Sequence, residues 1–165
     1  MPDPAAPISA STLVLRAKQR EIDAVRQLAS QAELVDVIGQ LIQALQRERG
    51  ASGIYLASQG QRFADTRHTL IHDARRVEVR LRTVLSAHAE PAQGATAKSL
   101  SLMAWALLGL AALKALRPQI ARQAMGAPDS VAAFSPPIAG LIPLAFPVGD
   151  TAVLPHIPRL LAVLL

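Results

Sequence analysis

The segment LIQALQRERGASGIYLASQG, residues 41–60, carries an apolar face at helical spacing into a charged cluster and then a cluster of small residues. Leu34, Ile38, Leu41 and Leu45 recur three or four apart, with Ile22, Val25 and Leu28 upstream. That period belongs to a helix burying one face. No proline interrupts the chain from Ser11 to Ser58. One long helix, or two nearly collinear ones, is therefore predicted. Ser9 or Ser11 is positioned to cap it, because a hydroxyl accepts from an unpaired N–H of the first turn. Gly50 and Gly53 weaken its far end, and Gln59-Gly60 reads as its stop.

Leu45 and Arg49 are four apart, so if Leu45 faces a core then Arg49 is expected there too. Gly50, Ala51, Ser52 and Gly53 follow. Residues that small let another backbone approach closely and leave room for a compact ligand. A buried guanidinium needs a partner, since an unpaired buried charge costs about 3–5 kcal/mol. The partner is a carboxylate, such as Glu48 or an acid on another helix, or it is a captured anion. Guanidinium is planar and weakly hydrated, and its fork of donors fits flat oxyanions at two points. Nitrate and nitrite both have that shape.

Working outward, a second helix is predicted from about Gln61 to Ala89. Phe63, Leu70, Ala74, Val77, Leu81 and Val84 form its apolar stripe, with Arg67, Arg75, Arg76, Arg80 and Arg82 mostly off it. A third helix is predicted from Thr96 to Leu116, apolar nearly all round between Leu100 and Leu113. Fourteen residues span about 21 Å, short of the roughly 30 Å hydrocarbon layer, so a core helix is expected and no membrane span. Eight of the 12 prolines lie between Pro118 and Pro158. An interior proline costs a helix about 3 kcal/mol, so broken or kinked helices are expected from Ser130 to Thr151, with a short helix from Ile157. The apolar run Leu160 to Leu165 reads as a cut through a helix, and the domain as incomplete. Residues 1–10 read as a disordered N-terminus and 11–165 as the domain.

Composition agrees with an all-α antiparallel bundle having a long first helix and proline-broken C-terminal helices. Hydrophobic residues make up 51% of the 165 and aromatics only 3%, so the core is built from Leu, Ala, Val and Ile. With no cysteine, disulfides, thiolate metal sites and cysteine nucleophiles are excluded. Ser52 and Ser58 have no evident base, which leaves nucleophilic catalysis without support and points away from an enzyme. His68 and His72 stand four apart without a third ligand, so neither metal nor cofactor is expected. The formal charge of +5 is concentrated before Pro118, where 15 Lys or Arg face 10 Asp or Glu. A modest positive field favours anions. No nucleic-acid-reading motif accompanies the arginines of 62–82, and direct nucleic-acid binding by this chain is not expected.

The order Leu45-Gln46-Arg47-Glu48-Arg49-Gly50-Ala51-Ser52, continuing through Tyr55-Leu56-Ala57-Ser58, resembles the signature of nitrate- and nitrite-sensing domains. The likeness includes the ELVDVIGQLI lead-in and extends loosely over 109–121 and 132–152. Among such proteins the chain is most similar to the nitrate-responsive transcription antiterminators. The resemblance implies two packed helical bundles and a cytoplasmic bacterial protein. It also implies an oxyanion held between arginines on long helices. The arginine of the shared motif falls on Arg49, with Gln46, Gly50 and Ser52 as supporting residues. The second arginine belongs to a later motif that these residues do not contain. The expected partners are a small oxyanion, nitrate or nitrite, and a second copy in a homodimer. A helical interaction module without ligand is the alternative reading.

Overall fold

The computed structural model describes residues 9–90 and 95–146. It consists of α1 (Ala10–Ala57), α2 (Ala64–Ala89), α3 (Ala97–Ala121) and α4 (Ala127–Ala145), with no strand among the described residues. The expectations for residues 1–8 and 147–165, including a helix from Ile157, lie outside them.

α1 is a single helix of 48 residues, about 72 Å at 1.5 Å per residue. Ser9 caps it, its Oγ accepting from Thr12 N at 3.2 Å. The core face begins only at Leu34 and runs through Val37, Ile38, Leu41, Ala44, Leu45, Glu48, Ala51, Ser52 and Leu56. Gly39, Gly50 and Gly53 do not interrupt it. The helix ends in a Schellman turn: Gly60 N donates to Tyr55 O at 2.8 Å, and Gln59 N to Leu56 O at 3.0 Å.

α2 returns antiparallel along α1, joined by Arg80 to Asp36 at 3.6 Å and His88 to Ser30 at 3.2 Å. Its buried stripe is Arg67, Ile71, Ala74, Glu78, Leu81, Val84 and Leu85. This stripe is rotated from the predicted one, which is a correction: Phe63 is exposed, and Arg67, expected off the face, lies on it. α3 opens with a reciprocal cap between Thr96 and Ser99. It passes Leu116, where the prediction ended, and continues through Pro118.

α4 corrects the expectation of proline-broken helices. It is one continuous helix with Pro136, Pro137 and Pro143 inside it. Each proline leaves the carbonyl four residues earlier without a helical donor. Ala132 and Ala139, whose carbonyls Pro136 and Pro143 release, are exposed to water. Pro137 is buried, and its Cα lies 3.2 Å from where a Cβ on Gly109 would stand. Packing of α4 on α1 and α3 thus outweighs the local preference of its sequence, burying Phe134, Ile138, Leu141 and Leu144.

Around the bundle the order is α2, α1, α4, α3, and α2 touches α3 only sparsely. α3, at 25 residues, is longer than its apolar run and is long and apolar enough by length and composition to cross a membrane. The length argument against a span therefore falls. Here one face of α3 packs on the bundle while Trp105 and Leu108 are exposed.

Candidate functional site

Where α1, α2 and α3 meet, the core contains four charged side chains and a serine. Glu48 is 0% exposed, Arg117 4%, Glu78 5% and Arg67 8%, and Ser52 is buried with them. Arg117 donates from Nε to Glu48 Oε1 at 2.8 Å and from Nη2 to Glu48 Oε2 at 2.9 Å, a two-point fork on one carboxylate. The same Nη2 donates to Glu78 Oε1 at 2.8 Å. Arg67 donates from Nε to Ser52 Oγ at 3.2 Å and from Nη2 to the carbonyl of Arg117 at 2.9 Å. Its guanidinium also lies over the Tyr55 ring, 5.5 Å from the centroid. Tyr55 in turn donates its hydroxyl to Ala121 O at 3.2 Å.

Two arginines and two glutamates leave this set neutral. Burial alone would lower the pKa of Arg117, but the hydrogen bonds and charge of Glu48, then of Glu78, outweigh it and hold the guanidinium above its ordinary value. Arg67 is pushed below its ordinary value by burial, helped by the charge of Arg117 and opposed by Glu48 and Tyr55. The difference follows from geometry. Arg117 meets carboxylates directly, whereas Arg67 meets a hydroxyl, a carbonyl and a ring face.

Arg49 does not enter this core. It is half-buried on the flank of α1, and it forms no ion pair among the described residues. Four helical residues turn through about 400°, so Arg49 stands about 40° past Leu45, whereas Glu48 and Ser52 fall on the buried stripe. Gln46 and Gly53, both half-buried, share the flank with Arg49. Gly53 faces α4, since a Cβ there would lie 3.7 Å from Val131 Cγ2, and Gly50 looks into open space. Ser52 is directed to Arg67, away from that flank. The shared motif therefore splits: Gln46, Arg49 and Gly50 stay toward the surface, and Glu48 and Ser52 go inside.

Arg67, Glu78 and Arg117 were not singled out from the sequence as site residues. A signal existed, because each occupies a core position of its own helix. Arg67 precedes Ile71 by four residues, Glu78 follows Ala74 by four, and Arg117 follows Leu113 by four. A charge on an apolar stripe in each of three helices is what a buried network requires. His68 and His72 are exposed, and no metal-sized group of acids and histidines occurs among the described residues.

A groove of about 270 Å³ between α1 and α2 is lined by Gln40, Gln43, Ala44, Arg47, Asp73, Arg76 and Val77. It opens on the opposite side of α1 from the Arg49 flank.

The fold is an all-helical bundle with an arginine-bearing surface motif and a buried ionic core. Residues 40–165 match the family described as nitrate and nitrite sensing, and the chain belongs to that family. A solved structure described as that of the NasR transcription antiterminator is similar, with a TM-score of 0.70 and 27% identity. The likeness covers 80% of this chain and 35% of that one, so this chain spans about a third of that protein. No curated protein matches the chain.

Proposed function

We propose that the chain senses nitrate or nitrite within a regulatory protein of the antiterminator kind and performs no catalysis. Arg49 anchors the ligand, with Gln46 and Gly50 beside it. The observation carrying this reading is a half-buried guanidinium on the long helix that no carboxylate neutralises among the described residues. A fork of donors in that state can meet a flat oxyanion at two points. Ser52, tied to Arg67, supports the site from inside by fixing α1 against α2.

Anion capture at Arg49 shifts the protein only if the ligand binds one helix packing better than another. Output then passes to elements outside these residues, in a cytoplasmic protein whose sensing part makes no direct contact with nucleic acid and spans no membrane. The test is thermal melting across a nitrate titration. Ligand at 100 times its Kd adds about 2.7 kcal/mol of stability. The wild-type chain is expected to gain this and Arg49→Ala to gain none. Identical curves for the two would remove Arg49 from the site.

The second reading is a helical interaction module without ligand. It is favoured by the apolar residues exposed along the first half of α1. It predicts no nitrate response in either protein.

A further inference from the structure

We infer that Arg117 is a positioning residue for the oxyanion site: by holding Glu48 inside the core, it keeps that carboxylate's charge compensated next to Arg49. The inference rests on the reading that Arg49 holds the ligand, and it adds the regulation of that site by a residue on another helix.

Glu48 and Arg49 are consecutive, with Cα atoms about 3.8 Å apart. Their side chains leave the helix about 100° apart and do not meet, but the charge of a bare carboxylate at one would still repel an anion held at the other through the low-dielectric interior. Glu48 is not bare. Both its oxygens accept from Arg117, at 2.8 and 2.9 Å, and it is wholly buried. The shared motif places an acid directly before its functional base, and α3 supplies the charge that makes this tolerable. Glu78 takes the remaining donation from Arg117 Nη2, and Arg67 supplies the second positive charge, so the buried set sums to zero beside the site.

A positioning role by charge produces a series that a purely structural role would not. Arg117→Met leaves the buried set at minus one, Glu48→Gln leaves it at plus one, and the double variant returns it to zero without restoring the fork. In a low-dielectric interior such changes are felt strongly by a neighbouring ion. Nitrate binding to the purified chain is measured by titration calorimetry, with circular dichroism as the folding control. The expected result is a Kd weaker by about tenfold or more in Arg117→Met, tighter than wild type by about threefold or more in Glu48→Gln, and within about threefold of wild type in the double variant. Arg117→Lys keeps the charge and loses the fork; its Kd stays within about threefold of wild type while its melting temperature falls. Should Arg117→Met fail to fold, Glu48→Gln and Arg117→Lys carry the test together. Affinity that follows stability instead of charge would overturn the inference, as would an unchanged Kd in all foldable variants. Absence of nitrate binding in the wild-type chain would instead overturn the underlying assignment of Arg49, and the inference with it.

Discussion

Arg117 on α3 and Glu48 on α1 face each other through two parallel hydrogen bonds of 2.8 and 2.9 Å, although 69 residues separate them in the chain. This pair ties the long helix to a neighbour across the core, and Glu78 draws α2 onto the same guanidinium. Removing one partner of a buried ion pair strands the other. Arg117→Met is therefore expected to lose about 3–5 kcal/mol in urea unfolding. Glu78→Gln, whose amide oxygen can still accept the single bond from Arg117 Nη2, should lose less than Glu48→Gln, whose amide NH2 would face one of the two guanidinium donors. The reverse ranking would contradict the geometry.

The two arginines also set the response to alkali. The pKa of Arg117 is raised in the folded state, so its contribution is complete below arginine's ordinary value and is lost only as pH climbs through the higher folded one. That of Arg67 is lowered; its burial penalty is present below the folded value and relieved above it. Neither transition lies near neutrality, because arginine's ordinary value is already strongly alkaline. Replacing Arg117 by lysine brings a group that ordinarily titrates at about 10.4 into the network. The melting-temperature gap between wild type and Arg117→Lys is expected to stay constant from neutral pH to about pH 10 and to widen above it, as the lysine loses its proton. A gap that stays constant above about pH 10.4 would mean that residue 117 does not hold its glutamates by charge.

Two helical glycines separate local preference from packing. Gly39 has no atom within 4 Å of where its Cβ would be, so Gly39→Ala should stabilise by roughly 0.5–1 kcal/mol. Gly109 makes the same exchange against Pro137 Cα at 3.2 Å, tighter than an ordinary contact. Gly109→Ala should destabilise despite the gain in helix preference, because the obstacle is backbone. Differential melting of the two variants is the check, and equal signs would refute the close approach of α3 and α4.

These contrasts explain which parts of the molecule could be read in advance. The apolar period of Leu34 to Leu45 was strong enough to define α1, and Gln59-Gly60 marked its end, because both signals are local. The continuity of α4 was not local. Pro136, Pro137 and Pro143 argue against a helix until Gly109 and the apolar face of α1 are brought alongside. The site was legible in part. The motif around Arg49 was conspicuous, but the inward residue is Glu48, and its partner Arg117 lies two helices away, where spacing along one helix carries no information. Arg67, Glu78 and Arg117 are legible only as charges on the apolar stripes of their own helices, not from the motif around Arg49.

Both α1 and α3 end in Schellman turns whose left-handed position is filled by glutamine: Gln59 with φ 54° and Gln123 with φ 56°. Glycine adopts that conformation without the clash of a Cβ. Gln123→Gly is expected to stabilise the chain by roughly 0.5–1 kcal/mol, since its backbone bonds from Gln123 N and Ala124 N survive the change. A loss of stability would show that the Gln123 side chain, which lies against Gly60, contributes more than the strain it imposes.

The first half of α1 extends beyond the other described helices, with Val25 65% and Leu28 71% exposed and Val14, Leu15 and Ile22 exposed too. An isolated helix gains little stability without an apolar face to bury, and a row of large apolar side chains marks an association surface. A second copy suits it. Val14, Val25, Leu28, Ala32, Val35 and Gly39, together with the exposed ion pair Lys18 and Glu21, stand at alternating spacings of four and three and are symmetric about the midpoint of Val25 and Leu28. Two such helices running antiparallel bring Val25 of one copy against Leu28 of the other and Arg20 against Glu33, while Gly39 leaves space beside Val14. Sedimentation equilibrium is expected to show a dimer. Val25→Glu with Leu28→Glu should give a monomer whose bundle melts as before, because neither residue belongs to the core. Arg20→Glu should weaken the dimer and Glu33→Arg added to it should restore it, whereas a wild-type chain that stays monomeric at every accessible concentration would rule the pairing out.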